Sequence, residues 1–177
     1  MGNRPLYKIY SSSSVRLINA GKVENNMHIT GVFFAGQEIP RQHTCDGTNL
    51  ITPVTVTGVP PSAKSLVLIM DDPDIPEFVK QKFGILVYDH WVLFNISPMV
   101  KIIDGKNGVH GKNSSGKNAY IGPCPPDRQH RYFYKVFALD CLLSLKEGAT
   151  KEEVLLAMKG HVIAQTELMG TYERETK

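Results

Sequence analysis

The chain is short of most features that mark a function class. No apolar run approaches the ~20 residues needed to cross a bilayer, and the longest stretches, Leu66–Met70 and Trp91–Ile96, are the size of strands. The N-terminus has cations but lacks the apolar segment of ~7–15 residues that a secretory leader requires. Leu6 stands where a myristoylation signal needs a hydroxyl residue, so neither leader nor lipid anchor is expected. Cysteine is scarce: Cys45, Cys124 and Cys141 cannot all pair and show no C-x-x-C spacing. Reduced thiols in a cytoplasmic compartment are the simplest expectation, which leaves the Asn95 and Asn113 glycosylation sequons without meaning. No H-x-x-x-H pair and no G-x-S-x-G elbow occurs, so neither a metal-dependent nor a serine hydrolase is favoured.

Charge of one sign is also lacking. The formal net charge is +3, yet Arg4, Lys8, Arg16 and Lys22 against Glu24 place the whole excess within residues 1–26. The rest of the chain is balanced, which excludes the clustered basic surface of a nucleic-acid binder. Residues 1–26 read as an extension to a domain of residues 27–177 whose natural first residue would be Met27. Within the extension, Tyr7, Ile9, Tyr10 and Val15 have the makings of a short strand.

From Met27 onward, short apolar stretches alternate with Gly, Pro, Asn and Asp. Val32–Phe34, Val54–Thr57, Ser65–Met70, Trp91–Ile96 and Arg131–Leu139 are rich in β-branched and aromatic residues and are expected to be strands. Arg131–Leu139 carries large apolar groups on both alternating faces, so it belongs inside a sheet. One helix is expected from Thr150, whose hydroxyl and Glu153 form a capping box, with Val154, Leu155 and Met158 facing inward and Gly160 closing it. Residues 71–90 and 103–130 read as Pro- and Gly-rich loops long enough to carry function. The architecture is mostly β.

Three segments carry chemistry. Asp71-Asp72-Pro73-Asp74-Ile75-Pro76 follows a strand, and its prolines stiffen a loop that holds carboxylates at the sheet rim. His90 and His130 each open a strand and reach the same rim if those strands are antiparallel neighbours. Gly122-Pro123-Cys124-Pro125-Pro126 must be a rigid loop in which a cis X–Pro bond is plausible and the Gly122 backbone can approach a ligand. Gly111–Asn118 misses the phosphate-cradling P-loop pattern at Asn118 and runs on into proline, so nucleotide binding is rejected.

Taken in order with Ile39-Pro40, Thr44-Cys45-Asp46-Gly47, Gly58-Val59-Pro60, Ala138-Leu139-Asp140, Gly160-His161 and Gly170-Thr171-Tyr172, these segments resemble the phosphatidylethanolamine-binding protein family, in its bacterial and archaeal Raf-kinase-inhibitor-like branch. The resemblance runs from Met27 to the end. It implies a large antiparallel sheet packed beside a smaller one, peripheral helices, and an anion pocket at one rim that accepts phosphate-like groups such as phosphoethanolamine. Carried over by position, Asp72, His90, His130 and Tyr132 are the pocket's polar residues, and Pro76, Gly122, Cys124 and Pro125 its walls. Both imidazoles, Tyr132 and the Gly122-loop amides are expected to donate to the anion, with binding strengthened by mild acid.

A non-enzymatic binding protein with no cofactor and no metal is therefore expected. Docking of a kinase or protease at the same rim is the alternative, with the long loop Glu77–Asp89 supplying specificity, and a homodimer is a further implication. Where relatives carry Pro-Pro-Leu-x-Trp, this chain has Thr52-Pro53-Val54-Thr55-Val56, so Val56 replaces an indole.

Overall fold

A computed structural model describes residues 26–175. The extension, with the short strand expected in it, lies outside the described residues apart from Asn26. Two antiparallel sheets form the body. The smaller joins β1 (His28–Gly31), β2 (Val54–Thr57) and β5 (Ile102–Ile103), in the order β1-β2-β5. The larger joins β3 (Ser65–Asp72), β4 (Tyr88–Ile96), β6 (Val109–His110), β7 (His130–Leu139) and β8 (Val162–Tyr172), in the order β6-β4-β3-β7-β8. This is the mostly β layout that the sequence implies.

β3 lies at the centre of the larger sheet with every residue buried, as its unbroken apolar run requires of a strand covered on both faces. One face packs Leu66, Leu68, Met70, Trp91, Leu93, Tyr132 and Tyr134 against Ile29, Val54 and Val56 of the smaller sheet. The other packs Val67, Ile69, Val92, Phe94 and Phe137 against Val154 of α2 (Lys151–Ala157) and Met158, which caps its end. β7 is bonded on both sides, to β3 and β8. Its alternation divides Tyr132, Tyr134, Val136 and Ala138 from Phe137 and Leu139 between the two cores. Val56 faces the inter-sheet core rather than the rim.

α2 begins as expected, with both halves of the Thr150–Glu153 capping box formed. Other expectations are corrected. The first strand is His28–Gly31 and not Val32–Phe34, because Phe33 alone turns inward against Tyr134 while Phe34 is left 85% exposed. The 71–90 loop contains α1 (Glu77–Phe83), a helix with no buried residue and hence no apolar stripe to announce it. β8 is an eleven-residue strand that went unread. No peptide bond among the described residues is cis, so the proline loop turns without the isomer considered for it. Cys45 and Cys124 form a disulfide across 79 residues, and only Cys141 is a free thiol. That pairing overturns the expectation of three reduced thiols and removes the cysteine argument for a reducing compartment.

Candidate functional site

Three neighbouring strands converge at one rim of the larger sheet. Asp72 ends β3, His90 lies near the start of β4, and His130 opens β7. Because β4 and β7 both run antiparallel to β3, the end of one meets the beginnings of the other two. The β3–β4 register shifts between Met70 and Asp71: Met70 pairs Trp91, but Asp71 pairs Asp89, which leaves His90 in a bulge. A bulge re-aims a side chain, and here it turns His90 to meet Tyr132, ring centroids 5.2 Å apart and edge to face. His130 stacks on the same tyrosine at 6.4 Å.

His130 is fully buried, and both of its nitrogens meet carboxylates. Nδ1 lies 2.7 Å from Asp72 Oδ2 and Nε2 lies 2.8 Å from Asp127 Oδ1. A carboxylate oxygen only accepts, so two protons must lie in this array, which then carries a net charge of −1. Burial pushes the Asp72 carboxyl above its ordinary value despite the bond from His130. Asp72 Oδ1 also accepts the Asp74 amide at 2.7 Å, which fixes the turn beyond β3. Asp127 was not singled out from the sequence, although its place three residues before His130 puts it within reach.

His90 plays a different part. Its Nδ1 faces the Ile121 carbonyl at 2.8 Å, so this nitrogen holds the proton and donates, leaving Nε2 as an acceptor in the neutral ring. Burial lowers its pKa to about 4, and proximity to His130 adds to the effect. The expectation that both imidazoles donate to an anion near neutrality therefore holds for neither: His90 presents an acceptor, and both nitrogens of His130 are taken by Asp72 and Asp127.

Tyr132 supplies a donor instead. Three tyrosines are buried beside one another, and two are bonded in a relay. Tyr134 donates to Thr52 (3.1 Å), Thr52 pairs with Tyr120 (3.0 Å), and Tyr120 donates to the His43 carbonyl (2.7 Å). The Tyr132 hydroxyl is buried and makes no hydrogen bond within bonding geometry; the Cys124 backbone amide faces its oxygen, and the hydroxyl proton has no acceptor. The other two such atoms among the described residues, Trp91 Nε1 and His110 Nδ1, belong to side chains that both lie beside Gly105. Buried hydroxyls are normally paired, and burial raises the Tyr132 pKa further, so the group stays a neutral donor.

The remaining acids do not join the site. Asp71 faces the opposite side of the sheet, where Lys135 binds both of its oxygens at 2.9 Å. Asp74 is clamped by the Arg131 guanidinium through two 2.7 Å bonds and by the Arg131 amide at 3.0 Å. Of the walls, Pro76 precedes α1, and Cys124 is an exposed partner in the disulfide. Pro125 is buried and lines a hollow of about 270 Å³ together with Pro126, Asp127 and Arg128 and residues 173–175. Gly122 has a structural task. Its amide donates to Asn49 Oδ1 at 2.8 Å, and a Cβ there would lie 2.2 Å from the His43 carbonyl oxygen. Its close approach is to the protein's own backbone, and its amide is not available to a ligand.

The model of the family described as phosphatidylethanolamine-binding protein matches residues 30–173. The chain belongs to that family. Among similar proteins, the UPF0098 protein of Chlamydia trachomatis is 44% identical over 84% of this chain and all of its own length. That of Methanothermobacter thermautotrophicus is 46% identical over 77% of this chain and 91% of its own. A crystal structure of a phosphatidylethanolamine-binding protein homolog from Chlamydia trachomatis superposes with a TM-score of 0.80 at 43% identity, covering 85% of this chain and 99% of that one. Escherichia coli YbcL, described as a new member of the mammalian PEBP family, gives 0.73 at 25% identity, covering 84% and 99%. No helix among the described residues is long and apolar enough to cross a membrane.

Proposed function

We propose that this family member is a non-enzymatic binding protein whose rim, made of Asp72, His90, His130 and Tyr132, takes a small phosphorylated group such as phosphoethanolamine. The observation that carries the reading is the partnerless hydroxyl of Tyr132, a residue whose ring packs against both histidine rings. An unmade hydrogen bond costs about 1–3 kcal/mol, and a ligand oxygen would recover it. The rest of the rim accepts: His90 Nε2 carries no proton in the neutral ring, and the Asp72–His130–Asp127 array is net negative. The matching ligand presents both an acceptor oxygen and donor hydrogens, as a singly protonated phosphate monoester or a phosphate bearing an ammonium group does. Neither histidine has a serine or a free thiol as partner among the described residues, which supports binding over acyl transfer.

Calorimetric titration of phosphoethanolamine and of inorganic phosphate tests this. Saturable binding is expected, weakened in Tyr132→Phe, His90→Ala and His130→Ala; no saturation at millimolar ligand contradicts the proposal. Affinity for the phosphate monoester rises as pH falls toward ~6, because the ligand dianion takes up one proton there and becomes the singly protonated form. His90 is not the source of that rise, since it stays neutral down to about 4.

A second reading, a kinase or protease segment docked at the same rim, is supported by α1. This helix buries nothing and leaves Phe78 60% and Phe83 47% exposed. In that case Phe78→Ser with Phe83→Ser abolishes partner binding but leaves phosphoethanolamine affinity unchanged; partner binding that survives both changes removes this reading.

A further inference from the structure

The opposite end of β7 holds a second cluster of chemically active side chains. Asp140 and Cys141 follow the last residue of β7, and His161 directly precedes β8. A carboxylate oxygen, the free thiol and an imidazole nitrogen all lie within 4.8 Å of one another. We propose that Asp140, Cys141 and His161 form a site for a thiophilic divalent cation of the zinc class.

Local geometry explains the convergence. Consecutive residues in a strand point to opposite faces, but the chain leaves the sheet at Leu139 and bends through residues 140–141, so Asp140 and Cys141 both turn toward His161. A register shift between Ala138 and Leu139 marks the departure. The backbone is tied on every side. The Asp140 amide donates to the His161 carbonyl at 3.1 Å, and the His161 amide donates to the Met158 carbonyl at 2.9 Å. The Ser65 hydroxyl donates to the Cys141 carbonyl at 2.5 Å. Asp140 Oδ1 and His161 Nδ1 already face each other at 2.8 Å.

The donor set selects the ion. Sulfur excludes hard cations such as magnesium and calcium, whereas one sulfur, one nitrogen and one oxygen suit zinc with water in a fourth position. Metal bonds of ~2.0–2.3 Å place ligand atoms roughly 3–4 Å apart around a shared ion, so modest side-chain rotations close the site. Binding releases the thiol proton to solvent and shifts the imidazole proton from Nδ1 to Nε2. Thiolate and carboxylate then balance the dication. The ten residues of β7 separate this cluster from His130 by about 30 Å, so the two sites are independent.

The test uses the full chain, freed of metal by chelation and kept without reductant so that Cys45 and Cys124 stay paired. Zinc is titrated against a chromophoric chelator, and alkylation of Cys141 is followed with and without zinc. The proposal predicts one zinc per chain, alkylation slowed more than about tenfold, and a thiolate-to-metal charge-transfer band when cobalt replaces zinc. Cys141→Ser and His161→Ala should each weaken zinc binding by about tenfold or more, with the exposed His28→Ala unchanged. Zinc that leaves alkylation unaffected, or binding that survives Cys141→Ser and His161→Ala, overturns it, as does binding lost in His28→Ala.

Discussion

Tyr132 keeps a hydroxyl away from water without bonding it to protein, although its neighbours Tyr120 and Tyr134 both find partners. Tyr132→Phe should therefore leave stability unchanged or raise it by about 1 kcal/mol while weakening phosphoethanolamine binding, as urea unfolding and calorimetry of the same variant will show. His90 carries a pH signature. Folded, its pKa is about 4 because burial disfavours the imidazolium; unfolded, it is ~6.5. Between these values the unfolded chain binds the extra proton, so stability falls as pH drops from ~6.5 to ~4, by up to about 3 kcal/mol. Asp89 acts in the opposite sense. Burial raises its pKa to about 6 even though Lys151 is bonded to it, so its contribution favours the folded state as pH falls through that value. Relative to the wild type, the urea midpoint at pH 5 should shift upward against that at pH 7 in His90→Gln and downward in Asp89→Asn; the reverse order contradicts these assignments.

The strands and helices were legible in proportion to their apolar content. β3 and β7 stand out because both faces are buried, and α2 because Thr150 and Glu153 cap it. Removing that cap with Thr150→Ala should cost about 1 kcal/mol in thermal or urea unfolding. α1 went unread because a helix that buries nothing has no apolar period, and its start at Pro76 has no side-chain cap. β8 went unread because it mixes Gln165, Thr166 and Glu167 with small residues along an edge position, so its alternation is faint. The Cys45–Cys124 pairing depends on two loops 79 residues apart coming together, where the Cys45 amide also donates to the Pro123 carbonyl at 3.0 Å. No spacing rule contains that meeting. Closing so long a loop restricts the unfolded chain, so Cys45→Ser with Cys124→Ser should lower stability by about 2–4 kcal/mol in urea.

At the scale of the molecule, the net charge of +3 is a property of residues 1–26, and the body is organised by local charge instead. Antiparallel neighbours carry Asp72, His90 and His130 to one rim, a convergence implied by where these residues stand on their strands. Their division of labour was not legible. Whether an imidazole donates or accepts depends on Ile121 and Asp127, which become its partners only in the folded chain. The central claim is that the buried, partnerless hydroxyl of Tyr132, whose ring packs against two histidines, is kept for a phosphate oxygen. Titrating phosphoethanolamine into the wild type and Tyr132→Phe, side by side near pH 6, tests it most directly. Saturable binding in the wild type that falls about tenfold or more, equivalent to ~1.4 kcal/mol, in a variant of equal or greater stability is the predicted result; equal affinity in the two proteins, or no saturation in either, contradicts it.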